Sequence, residues 1–191
     1  MILHLKSACM GALAIAAAAC ASMGGGTDLL ATGISDFART GDANWTFANG
    51  IAQADKGSGP SLLVTKEDYR DFELTLEVYV SVEHNSGVFI RCADRANITA
   101  TNCYEINIFD KRPDQSGRTG GAPGYFVPLA KVDAGGKWTS IVIRAQGAHI
   151  FASFDGATTI DSDGPLVSNG PIALQWGAGE VKFRNIRVKR L

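Results

Sequence analysis

The sequence predicts an all-β fold, a sandwich or jelly roll of antiparallel sheets preceded by an N-terminal signal segment. Three observations carry this. After residue 27 no apolar pattern of period 3.6 runs far enough to mark a helix. From Phe72 to Ser81 the chain alternates strictly. Phe72, Leu74, Leu76, Val78 and Val80 fall on one side, and Glu73, Thr75, Glu77, Tyr79 and Ser81 on the other, so the strand has one core face and one wet face. The rest of the chain, with its 22 glycines, breaks into short β-branched and aromatic runs separated by turn signals.

The first 19 residues are read as a signal rather than as part of the fold. Lys6 precedes an apolar run from Ala8 to Ala19 that ends in small residues. The run is short for a spanning helix, which needs about 20 apolar residues. Cys20 directly after Ala17-Ala18-Ala19 resembles a bacterial lipoprotein signal, although Ala17 stands where such signals usually carry Leu. The alternative is ordinary cleavage nearby, with Cys20 incidental. The expectation is an exported protein of the periplasm or cell envelope, held to the membrane only through a lipid on Cys20. Residues 20–40 then form a linker and lead-in containing Gly24-Gly25-Gly26, and residues 41–191 form the sandwich.

Within the sandwich, Trp45 and Phe47 before Asn49-Gly50 mark a strand and turn, and Ser61 to Val64 a second strand. The long alternating strand follows, then a pair over 85–91 and 104–110. Lys111 to Pro128 is rich in Gly, Pro and Arg and reads as a long loop. Trp138 to Arg144 and Ile150 to Phe154 are strands joined across Gln146-Gly147, and Asp155-Gly156 is a turn. Ile172 to Trp176 and Val181 to Val188 complete the domain.

Charge and cysteines narrow the function classes. A net charge of −1 gives no electrostatic case for nucleic acid. Of four cysteines, Cys9 leaves with the signal and Cys20 would carry lipid. Cys92 and Cys103 remain, flanking a short polar segment, and export makes a disulfide between them the natural reading. Two cysteines without a nearby His make a poor metal site.

The pair 85–91 (Asn-Ser-Gly-Val-Phe-Ile-Arg) and 104–110 (Tyr-Glu-Ile-Asn-Ile-Phe-Asp) spends strand positions on Asn85, Arg91, Glu105, Asn107 and Asp110. A strand does not need these groups for its own stability. The pattern NSG-x-F-x-R followed by YE-x-x-I-x-D resembles the 3-keto-disaccharide hydrolase-like domain, a concanavalin-type β-sandwich of bacterial secreted proteins. Lys137-Trp138, the run Gly170 to Gly177 and the ending Val181 to Arg187 extend the resemblance over residues 44–191.

The resemblance implies a sugar or 3-keto-sugar ligand and cleavage of a 3-keto-glycoside. A ketone at C3 acidifies the hydrogen on C2. A base removes it, the C1 group leaves by elimination, and water adds back. Two opposed carboxylates are not required. Glu105 and Asp110 would in any case stand about 16 Å apart on opposite faces of a regular strand, against about 5 Å for retaining and 6.5–9.5 Å for inverting glycosidases.

On this reading Glu105 is the base, and Arg91 orients it or stabilises the enolate oxygen. His84 is the next candidate for proton transfer. Asn85 and Asn107 hold hydroxyls, Asp110 joins the substrate-binding set, and Gln175 and Trp176 line the same hollow. A divalent metal on Glu105 with Asp110 or His84 is a further option, without a compact ligand motif behind it.

Bland alternatives stand beside each role. Glu105 and Arg91 can be a cross-strand ion pair, His84 a turn residue and Asp110 a strand end. Trp176 and Trp138 can be core. Asn185 can bond backbone at a bulge, and Lys111, Arg112 and Arg118 can be a solvated cluster. A domain that binds sugar without cleaving it is the alternative to the enzyme. Register is the open point. Were Cys92 directly opposite Cys103, Arg91 and Glu105 would face opposite sides of the sheet. An offset or bulge near the loop is therefore expected.

Overall fold

The computed structural model describes residues 25–191, so the signal segment and Cys20 lie outside the described residues. Among the described residues thirteen strands form two antiparallel sheets. They are β1 (Thr27–Asp28), β2 (Phe37–Thr40), β3 (Thr46–Ala48), β4 (Ile51–Ala54), β5 (Ser61–Thr65), β6 (Phe72–Val80), β7 (Asn85–Ile90), β8 (Tyr104–Ile108), β9 (Trp138–Gln146), β10 (His149–Phe154), β11 (Ala157–Asp163), β12 (Ala173–Ala178) and β13 (Val181–Arg190). An eight-stranded sheet runs β11-β10-β9-β6-β13-β4-β3, with β1 also on β13. A five-stranded sheet runs β2-β5-β12-β7-β8.

The alternation in β6 places all five apolar side chains in the core, each at most 2% exposed. Ile141, Ile143 and Ala145 of β9 and Val181 and Phe183 of β13 pack beside them. In β13 the inward parity shifts from Phe183 to Ile186 because Asn185 adopts a left-handed φ of 53° and breaks the register. The bulge expected at Asn185 is there, with its amide donating to Glu77 at 3.0 Å rather than to backbone. The five-stranded sheet closes the core with Leu63, Leu174, Trp176, Val88, Ile90, Tyr104, Ile106 and Ile108.

Some stretches differ from the sequence reading, β4 among them. β1 and β2 already belong to the sheets, although residues 20–40 read as lead-in. They are too short and mixed to show a period. β11, Ala-Thr-Thr-Ile-Asp-Ser-Asp, also went unread, because an edge strand with a polar outward face carries little apolar signal.

The Cys92–Cys103 disulfide is formed. The register beside it is offset by one: Ile90 pairs with Tyr104, and Phe89 with Glu105. At Arg91 the backbone turns left-handed, φ 59°. The side chain, fully buried, leaves the β7–β8 surface for the end of the sandwich. There it donates to Asp71 at 3.0 Å, to the Gly147 carbonyl at 2.9 Å and to the Ser168 carbonyl at 3.3 Å. Asp71 also accepts from the Gly147 amide, and the two donors hold its carboxyl below the usual carboxylate range. Arg91 thus fastens the end of β7 to the turn between β9 and β10. The offset expected from the register argument exists, but it does not bring Arg91 to Glu105.

Candidate active site

Strand parity decides which side chains meet on the outer face of the five-stranded sheet. Glu105 and Asn107 of β8, Asn85, Gly87 and Phe89 of β7, Ala173 and Gln175 of β12, and Leu62 and Val64 of β5 share that face. Two cross-strand rows result, Gln175–Gly87–Asn107 and Ala173–Phe89–Glu105.

Gly87 is the floor between them. A Cβ there would stand 3.0 Å from Glu105 Cγ and Oε1 and 3.5 Å from Gln175 Oε1, so two side-chain oxygens converge over the missing side chain. A glycine in a strand interior marks this kind of close approach.

Glu105 is 8% exposed. Burial pushes its carboxyl up to about 7, while the Arg112 charge and the Gln175 amide pull partly back. Gln175 Oε1 and Arg112 Nε are buried without a hydrogen-bond partner. Arg91 Nε and four other side-chain atoms share this state, but Gln175 Oε1 is the one that lies over Gly87, where a ligand could satisfy it. The cation whose charge acts on Glu105 is therefore Arg112, from the 111–136 loop, and not Arg91. Sequence reasoning assigns Arg112 no role, and a solvated cluster as one option, because a Gly- and Pro-rich loop has no periodicity from which to place it. Gly87, in the interior of a strand, was a further readable signal of a close approach.

The other candidates lie elsewhere. Trp176 neighbours Gln175 in sequence and so points oppositely, into the core, where its indole donates to the Gly179 carbonyl at 2.8 Å. The shared hollow expected for the two is corrected by the two-residue period of a strand. Asn107 spends its amide on structure, donating to the Gly117 carbonyl and accepting from the Ile108 amide. Asn85 is half-buried beside Gly177 at the open end of the Gly87 row.

His84 is buried, not solvated. Its Nδ1 donates to the Ser81 carbonyl at 2.6 Å, which leaves Nε2 to face Asp110. Asp110 accepts from the Ala134 amide at 3.1 Å, the Gly135 amide at 2.9 Å and the Thr119 hydroxyl. Asp110 therefore anchors the 111–136 loop, and it shares no partner with Glu105. Among the described residues no group of three or more His, Cys, Asp or Glu is arranged to hold a metal ion.

Asp110→Ala is expected to strand the Ala134 and Gly135 amides, at about 2–3 kcal/mol. That corresponds to roughly 5–10 °C in Tm for a domain of this size, read by thermal melts. An unchanged melt would remove Asp110 as the anchor.

A family model described as 3-keto-alpha-glucoside-1,2-lyase-like domain matches residues 28–189. The chain belongs to this family. Around this 3-keto-alpha-glucoside-1,2-lyase-like domain stand solved structures of the same sandwich. A candidate glycosyl hydrolase from Parabacteroides distasonis ATCC 8503 shares 26% identity at a TM-score of 0.65, over 77% of this chain and 90% of that one. The carbohydrate-binding module CBM66 of Bacillus subtilis shares 16% at 0.60, over 79% and 94%. A Bacillus subtilis protein with a galectin-like fold shares 13% at 0.62, over 84% and 91%. No curated protein matches the chain.

Proposed function

We propose that this domain cleaves 3-keto-glycosides by removing the C2 proton and eliminating the C1 group, with water adding back. The supporting observation is the meeting, over Gly87, of a carboxyl raised to about 7 with the partnerless Gln175 Oε1, within the field of the Arg112 charge. A base working near neutral pH needs such a value. The ionised Glu105 takes the C2 proton. The Arg112 guanidinium offsets the negative charge that develops on the C3 oxygen. The carboxyl, now protonated, returns a proton to the departing C1 oxygen. Gln175 and Asn85 hold ring hydroxyls. The protein acts in the envelope, exported and lipid-anchored, on the strength of Lys6, the apolar run to Ala19 and Cys20.

The test is incubation with a 3-keto-disaccharide, with and without chelator, and product analysis by mass spectrometry. Release of the aglycone in both arms is expected. Saturable binding of an unoxidised sugar without product would instead favour a non-catalytic binding domain. The similarity in fold to a carbohydrate-binding module supports that second reading.

A further inference from the structure

A small apolar cluster lies outside the sandwich core, on the same outer face as Glu105. It comprises Leu62, Val64, Phe89, Ala173, Cys92 and Cys103, each at most 8% exposed. Phe89 is directly opposite Glu105, and Cys103 precedes it by two residues. The 93–102 loop, closed by the disulfide, covers this cluster with Ile98 and Ala100. The loop is pinned on both flanks. Arg95 donates to the Thr65 and Lys66 carbonyls and pairs with Asp68. On the other side the Tyr125 hydroxyl donates to the Thr101 carbonyl at 2.7 Å, tying this loop to the one that carries Arg112.

We propose that the disulfide-closed 93–102 loop is a positioning element of the site: with Ile98, Ala100 and the two sulfurs it keeps water off one side of Glu105 and thereby sets the pH at which that carboxyl ionises. The groups around Glu105 leave this work to the apolar cap. Gly87 and Phe89 of β7 and Gln175 of β12 are uncharged, and Arg112, which lowers the value, is the charged group acting on it. The loop's own charges are turned elsewhere, Arg95 to Asp68 and Asp94 to the Ala96 amide. Burial outweighs Arg112, and the cap supplies burial. This inference rests on Glu105 as the working carboxyl of the proposed function.

The experiment follows the Glu105 carboxyl by carbon-13 NMR in the full chain, its signal assigned by loss in Glu105→Gln. In the parent the midpoint is expected at about 7. Ile98→Ala is expected to lower it by about one pH unit, toward the ordinary glutamate value, because water reaches the exposed side. Cys92→Ser with Cys103→Ser is expected to lower it at least as far. A folded Ile98→Ala chain with an unmoved midpoint overturns the proposal, whatever the cysteine variant does. With a 3-keto-glucoside, the acid limb of kcat/KM shifts with the midpoint. Absence of turnover in the parent overturns the catalytic reading alone, since the titration still decides the role of the loop.

Discussion

Glu105→Gln is expected to abolish aglycone release from a 3-keto-glucoside, by on the order of 10³-fold, and at the same time to make the folded chain more stable above pH 7. The second effect has the opposite sign to most substitutions at buried sites. The folded carboxyl ionises at about 7 against 4.5 for an ordinary glutamate, so between these values the folded chain holds a proton that the unfolded chain has lost. Stability therefore falls as pH rises from about 4.5 through about 7, by roughly 3 kcal/mol in all, and levels off above. Glutamine carries no such penalty. Denaturant titrations at pH 5 and pH 8 should show a falling midpoint for the parent and a flat one for the variant. Equal slopes for the two proteins, or undiminished turnover, would remove Glu105 from the role of strained base.

Asp71→Ala should cost about 3 kcal/mol without touching the Glu105 titration. It leaves the Arg91 guanidinium buried with only the Gly147 and Ser168 carbonyls as partners, and it also strands the Gly147 amide. The expected fall in Tm is roughly 6–12 °C. Were Arg91 part of the chemistry, the same substitution would move the Glu105 midpoint, so calorimetry and the carboxyl titration together separate clamp from catalyst.

The fold was legible because its longest strand is also its cleanest pattern. Five apolar side chains at spacing two in β6 admit one reading, and the glycine-bounded runs around it fall into place. Glu105 stood out for a related reason: a carboxylate in the middle of an apolar strand has no structural use, and the structure buries it on the outer face. Arg91 misled because the left-handed turn that swings it away is a property of one φ angle, set by the offset disulfide register, and Arg carries no mark of it. His84 and Asp110 were seen but misassigned. Apart from the Thr119 hydroxyl, their partners on Ser81, Ala134 and Gly135 are backbone groups, which look the same in any sequence. Trp176 was decidable by parity alone once Gln175 was placed on the outer face.

The 111–136 loop does more than deliver Arg112. The backbone amide of Asn107 donates to the Gly121 carbonyl, and the Gly120 amide donates to the Asn107 carbonyl, so the loop covers the outer edge of β8 at this residue. β8 is the last strand of its sheet and would otherwise present an unpaired ladder to any passing chain. The same segment is thus both wall of the site and guard of the edge. A variant that shortens the loop to admit a bulkier ligand uncovers a template for self-association, so widening substrate range and keeping the protein monodisperse pull this one stretch of backbone in opposite directions.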